Sequence, residues 1–160
     1  MTTRALDAPF MFAIAALDLC GAQIDQIPGD AGRSLSDGDF RLSFDLTPAM
    51  VLQVDHESDS QTYRVRVLLT VLPERAAAIE RLALQLNFLH EGARHYAIDG
   101  ATQALVLTER VPLAPELDVE AFAVAIAELI EAVHALQHYQ DSLATAVSPT
   151  ELLQPQALSN

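Results

Sequence analysis

Residues 74–89, ERAAAIERLALQLNFL, constrain this chain more than any other stretch, because as a helix they are apolar on two opposite sides. At about 100° per residue, Ile79, Leu82, Ala83, Leu86 and Leu89 fall in one stripe. Ala77, Leu84 and Phe88 form a narrower stripe on the reverse side, with Glu80 and Asn87 on one flank between them and Arg81 and Gln85 on the other. A helix with one apolar face needs one partner, whereas this one needs two. The chain itself can cover the first stripe, and the second is covered either by an interface or by a core that closes on both sides.

There is enough chain to build a core around such a helix: 160 residues, 51% of them hydrophobic and 19% charged, which fits one soluble domain. The formal net charge of −13, from 22 acids against nine basic residues, all arginine, opposes binding to nucleic acid or to an anionic membrane surface. Partners are therefore expected to be neutral to basic. The single cysteine, Cys20, excludes an internal disulfide and a cysteine-based zinc site and suits a reducing compartment. The apolar run 9–17 superficially resembles an export signal. Asp7 before it, Asp18 at its end and Leu19 where a small residue is wanted all argue against one. No apolar run approaches the roughly 20 residues of a membrane span.

Pattern and punctuation predict a helix over 8–22, with Pro9 in its first turn and Gly21 near its end. It too carries apolar residues on both sides: Phe10, Ala13, Ile14 and Leu17 on one, Phe12, Ala15, Ala16 and Leu19 on the other. Either it is buried on all sides in the core, or Phe12 and Leu19 line a groove for another chain's apolar side chain. Residues 26–38, rich in Pro, Gly, Ser and Asp, read as loop. Three strands with period-two alternation follow, centred on Phe40 to Leu46, Met50 to Val54 and Tyr63 to Val71, the last two joined by a polar turn over 56–61. They predict an antiparallel meander with one dry face, on whose other face Val51, Leu68 and Leu72 form an apolar patch. Pro73 opens the two-faced helix. A hairpin over 95–99 and 104–111 follows, turning at Gly100 to Gln103. The last helix is capped by Asp118, and Val119, Phe122, Ile126, Leu129, Val133 and Leu136 make its single core-facing stripe. The predicted class is α+β: helix, three-stranded antiparallel meander, helix, β-hairpin, long C-terminal helix. Residues 1–144 form one domain and 145–160 a loosely held tail.

Chemistry-bearing patterns are sparse. Glu131, His134 and His138 have spacings that can bind a metal from one helical face, but they lie off the buried stripe and lack a second motif to complete a site. His90 and His95 flank a loop without a third ligand at motif spacing. Cys20 in an apolar helix is expected to have a raised pKa and to be inert. No phosphate loop, nucleophile elbow or cofactor motif is present, so the reading is a non-enzyme with no metal and no cofactor.

The motifs resemble those of the class I type III secretion chaperones, the family that includes the intimin-receptor chaperone. Leu86-Asn87-Phe88 is similar to the ending of the family's second helix, and Ala97-Ile98-Asp99 with Gly100 to its acidic-glycine hairpin. Val111-Pro112-Leu113 with Leu117-Asp118 resembles its lead into the final helix, and Glu128-Leu129-Ile130-Glu131 the acidic-apolar run within it. The resemblance implies a bacterial cytoplasmic homodimer joined through Ala77, Leu84 and Phe88. It also implies an extended N-terminal segment of one or more secreted effectors, kept soluble and export-competent and held by Phe12, Leu19, Val51, Leu68, Leu72 and Val106. The secretion-system ATPase is a further partner on the same reading; nucleic acid and membrane insertion are not. A different class stays open beside it: a small-molecule binding module or enzyme using a pocket between the sheet and the last helix, with the histidines as its polar groups.

Overall fold

The structure, a computed structural model, describes residues 3–20, 34–36, 39–90 and 92–145. The alternating stretches form a six-stranded, wholly antiparallel sheet of β1 (Ser34–Ser36), β2 (Asp39–Thr47), β3 (Met50–Glu57), β4 (Thr62–Thr70), β5 (Arg94–Asp99) and β6 (Ala104–Pro112), in the order β1-β2-β3-β4-β6-β5. Phe40, Leu42, Met50, Leu52, Val54, Tyr63, Val65, Val67, Leu69, Leu105 and Leu107 turn to one face and are buried there. Alternation sends Arg41, Val51, Arg64, Leu68 and Val106 to the other.

Among the described residues three α-helices accompany the sheet: α1 (Thr3–Leu19), α2 (Ala76–Leu89) and α3 (Val119–Thr145). The predicted single stripe of α3 is the core seam, with Phe122, Ile126, Leu129, Val133 and Leu136 all buried, and the Asp118 carboxylate accepts the Ala121 N–H at 2.7 Å as the expected cap. Ala13, Ala16 and Leu17 of α1 and Ile79 and Ala83 of α2 join the same cluster. All three helices thus serve one sheet face, and among the described residues the opposite face carries no helix. Since β6 lies antiparallel between β4 and β5, those two strands run parallel and α2 is the crossover between them.

Several expectations change. The first helix begins at Thr3 and ends at Leu19, placing Pro9 inside it; the Pro9 carbonyl accepts the Tyr63 hydroxyl at 2.7 Å. Part of the stretch read as loop, Ser34–Ser36, is a strand pairing with β2; the remainder of 26–38 lies outside the described residues, as does the tail 146–160. The polar turn after β3 is shorter than predicted, because His56 belongs to the strand and packs between Phe40 and Tyr63, each ring centroid 5.3 Å away. Pro73–Arg75 is a separate 3-10 turn ahead of α2. Finally, α2 lies against β5, and Leu89, assigned to its inner stripe, is 72% exposed at the last residue of the helix.

Candidate partner-binding surfaces

At the edge of the sheet one asparagine fixes how α2 sits. Asn87 Nδ2 donates to the Tyr96 carbonyl and Asn87 Oδ1 accepts the Tyr96 N–H, both at 2.7 Å. In an antiparallel ladder a residue's N–H and C=O point the same way, so both Tyr96 groups face outward from β5, and the side-chain amide takes the place of a neighbouring strand. This pairing blunts the edge at its middle and turns the Ile79/Ala83 side of α2 inward. The reverse side is then committed to solvent. Leu84 is 64% exposed and Phe88 88%; Ala77 and Leu89 are exposed beside them. Arg81, Leu84, Gln85, Phe88 and Leu89 line an open, predominantly apolar depression on this face. The three residues assigned to a dimer contact therefore share one bare surface, and Leu89 enlarges it.

The first helix resolves its surplus differently. Phe12, a proposed docking residue, turns inward: its ring stacks 5.9 Å from Tyr63 and 5.8 Å from Phe122, between α1, the sheet and α3. What α1 shows to solvent is Met11, 58% exposed, Ala15, and Leu19, 59% exposed. Of the two docking residues assigned to this helix, Leu19 is outward and Phe12 is not. Met11 was missed, although the i, i+4, i+8 spacing of Met11, Ala15 and Leu19 is visible in the sequence.

On the uncovered sheet face the register brings three assigned residues together. Val51 pairs with Leu68 and Leu68 with Val106, so they form one cross-strand row over β3, β4 and β6, continued by Ala97 of β5. Leu72 lies past the end of β4 and stands apart from the row. Its N–H is held by Gln140 Oε1 at 3.2 Å, while Gln140 Nε2 donates to the Thr70 carbonyl at 3.2 Å, so α3 pins the exit from β4.

The groups considered for catalysis or metal binding are dispersed. Glu131 and His138 are exposed on α3 and His134 is half-buried; among the described residues no group of three His, Cys, Asp or Glu side chains could hold a metal ion. The Cys20 thiol donates to the Ala123 carbonyl at 3.0 Å, and burial pushes its pKa up, away from the thiolate. His90 borders a polar hollow with Gly92, Ala93, Arg94 and Glu109, but Arg94 is engaged by Glu109 at 3.2 Å and by Glu128 at 2.5 Å. Between the sheet and α3 the space is filled: Tyr63 and Phe122 are fully buried, 4.6 Å apart, and burial raises the Tyr63 hydroxyl above its ordinary pKa. Among the described residues, apolar side chains reach the surface on the outer face of α2, along the Met11/Leu19 line and, half-buried, in the row through Leu68.

No protein family and no curated protein matches the chain in sequence comparison. Among solved structures it is similar to a chain in the crystal structure of the ExsC–ExsE complex, with 20% identity, a TM-score of 0.54, and coverage of 68% of this chain and 82% of that one. The α+β arrangement expected from the sequence is the fold of that chain.

Proposed function

We propose that this protein is a homodimeric type III secretion chaperone, a non-enzyme that holds an extended N-terminal segment of one or more effector proteins soluble and competent for export. The observation that carries the reading is the outer face of α2. Leu84 and Phe88 would each gain about 1.5–3 kcal/mol on full burial, and the monomer leaves both in water. A second copy presenting the same face across a two-fold axis covers both residues at once, with Ala77 allowing close approach. Once that face is occupied, the Met11/Leu19 line on α1 and the row through Leu68 remain for a client. The similar chain comes from a complex of two different proteins, which agrees with a partner-binding role. On this reading the chaperone works in the bacterial cytoplasm, and the secretion-system ATPase is a later contact of the loaded dimer.

Sedimentation of the purified protein, together with mass spectrometry of what co-purifies from the native organism, tests this. The expected result is a dimer carrying a secreted protein bound through its N-terminal segment. A strict monomer at micromolar concentration would sink the proposal.

A further inference from the structure

The face of the sheet that carries no helix among the described residues breaks two local rules. The first is the outward apolar row Val51–Leu68–Val106, all three half-buried. The second lies two rows along the strands, where Arg64 of β4 and Arg110 of β6 are directly opposite each other, a like-charge cross-strand pair that costs stability. Arg41 and Arg66 flank them on the same face. Four of the nine arginines of a chain with net charge −13 thus gather on one surface.

Their compensation among the described residues is partial. Asp55, buried beneath them, accepts from Arg41 at 2.8 Å and from Arg66 at 2.6 Å, and Glu57 pairs with Arg64 at 2.6 Å. Arg110 is exposed and has no ion pair among the described residues. The same face also carries Asp39 and, opposite Val51 at the β2 end of the apolar row, Asp45, so the local positive charge inside this acidic molecule is confined to the surroundings of Arg110.

We infer that this sheet face, with Arg110 and Arg64 two rows from the Val51–Leu68–Val106 row, docks a client segment that combines carboxylates with apolar side chains. The inference rests on the chaperone reading and adds the chemistry of the client. Charge complementarity selects the occupant: arginine pairs with carboxylates in two-pronged fashion, whereas a phosphate chain or another long polyanion meets the repulsion of the −13 molecule around the patch. Same-face rows repeat roughly every 6.8 Å along a strand, so the arginine and apolar rows are roughly 14 Å apart. An extended segment spans that distance when its acidic and apolar residues are four positions apart.

Fluorescence anisotropy with three short labelled peptides on a Ser/Thr background tests this. One carries Glu and Leu four positions apart, one Lys and Leu, and one Leu alone. The Glu peptide should bind about tenfold more tightly than either of the others and lose that advantage as salt rises. Arg110→Glu, at an exposed position where circular dichroism should show an unchanged fold, should abolish the preference; adding Arg64→Gln should turn it toward the Lys peptide. Equal binding of the Glu and Leu-only peptides, a preference for Lys in the wild type, or a preference indifferent to both substitutions overturns the inference and leaves the chaperone reading standing. Binding of none of the three peptides counts against both. A change of sedimentation in Arg110→Glu would assign the face to a second copy and overturn the inference as well.

Discussion

The first two helices carry the same sequence signature, apolar residues on opposite sides of one cylinder, and the fold treats them in opposite ways. On α1 the second side is consumed: Phe12 stacks on Tyr63 and Phe122, and only a thin line through Met11 and Leu19 stays outside. On α2 it is bare, with Phe88 88% exposed. The cause is position. α1 lies between the sheet and α3, so it finds protein on two sides; α2 lies at the sheet margin with β5 beneath and nothing of the described chain beyond. Apolar surplus in a sequence therefore reports the need for a second neighbour and not where that neighbour comes from.

Aspartate placed on each second stripe breaks or upholds this contrast. Phe12→Asp should have the largest effect, since it empties a stacked aromatic site and puts a charge into it. A loss of about 3 kcal/mol or more, read as a collapse of the urea midpoint, is expected. Phe88→Asp should leave the unfolding of the monomer almost unchanged. Equal destabilisation by the two would erase the distinction between the helices.

Next in size is the effect on association. Leu84→Asp removes about 1.5–3 kcal/mol of burial from each of two copies, which weakens a dimer by roughly two to four orders of magnitude in Kd. Sedimentation should show monomer at micromolar concentration with native circular dichroism. A variant that remains a native dimer would take the α2 face out of the interface.

Asn87→Leu sharpens the comparison from the other side, because Asn87 is what aligns α2 on the sheet. Losing two hydrogen bonds and stranding the Tyr96 N–H and C=O should cost about 1–3 kcal/mol. Hydrogen exchange at the Tyr96 amide should quicken selectively, and the reopened β5 edge should promote aggregation. Unchanged exchange at Tyr96 would mean that other contacts place the helix.

The architecture was legible from periodicity because strands and stripes are local properties. The meander, the hairpin and the α3 seam all follow from which side chains recur every second or every third and fourth position. Which of two stripes is outermost depends on tertiary neighbours, and periodicity alone does not decide that Phe12 packs inward and Leu89 stays out. The row through Val51, Leu68 and Val106 was half visible: alternation turned these residues outward, but only the register made them adjacent. The arginine area was hidden for a simpler reason. Alternation turns Arg64 and Arg66 outward on one strand, but Arg41 and Arg110 come from other strands and only the register gathers them, while net charge averages over the surface where they converge. Asn87 lies in the Leu86-Asn87-Phe88 motif, yet its partner Tyr96 comes after a loop, and no spacing rule joins them.

The smallest effect concerns the β5–β6 turn, which supports the strand carrying α2. Asp99 accepts from the Thr102 hydroxyl at 2.8 Å and the Ala101 N–H at 3.0 Å, and these bonds hold its pKa below the ordinary carboxylate range, the Thr102 hydroxyl contributing most. A depressed carboxylate contributes stability that is fully present above its unfolded pKa and is lost as pH falls through the folded value. Asp99→Ala should therefore lower the thermal midpoint slightly at neutral pH, and wild type and variant should converge as the solution is acidified below the carboxylate range. The turn is exposed and its loss leaves the Asn87–Tyr96 contact in place, so association through α2 should be unaffected. A midpoint difference that persists in acid would show that Asp99 acts through backbone geometry and not through its charge. A loss of dimer in Asp99→Ala would show that α2 depends on the hairpin as a whole, beyond the single contact at Tyr96.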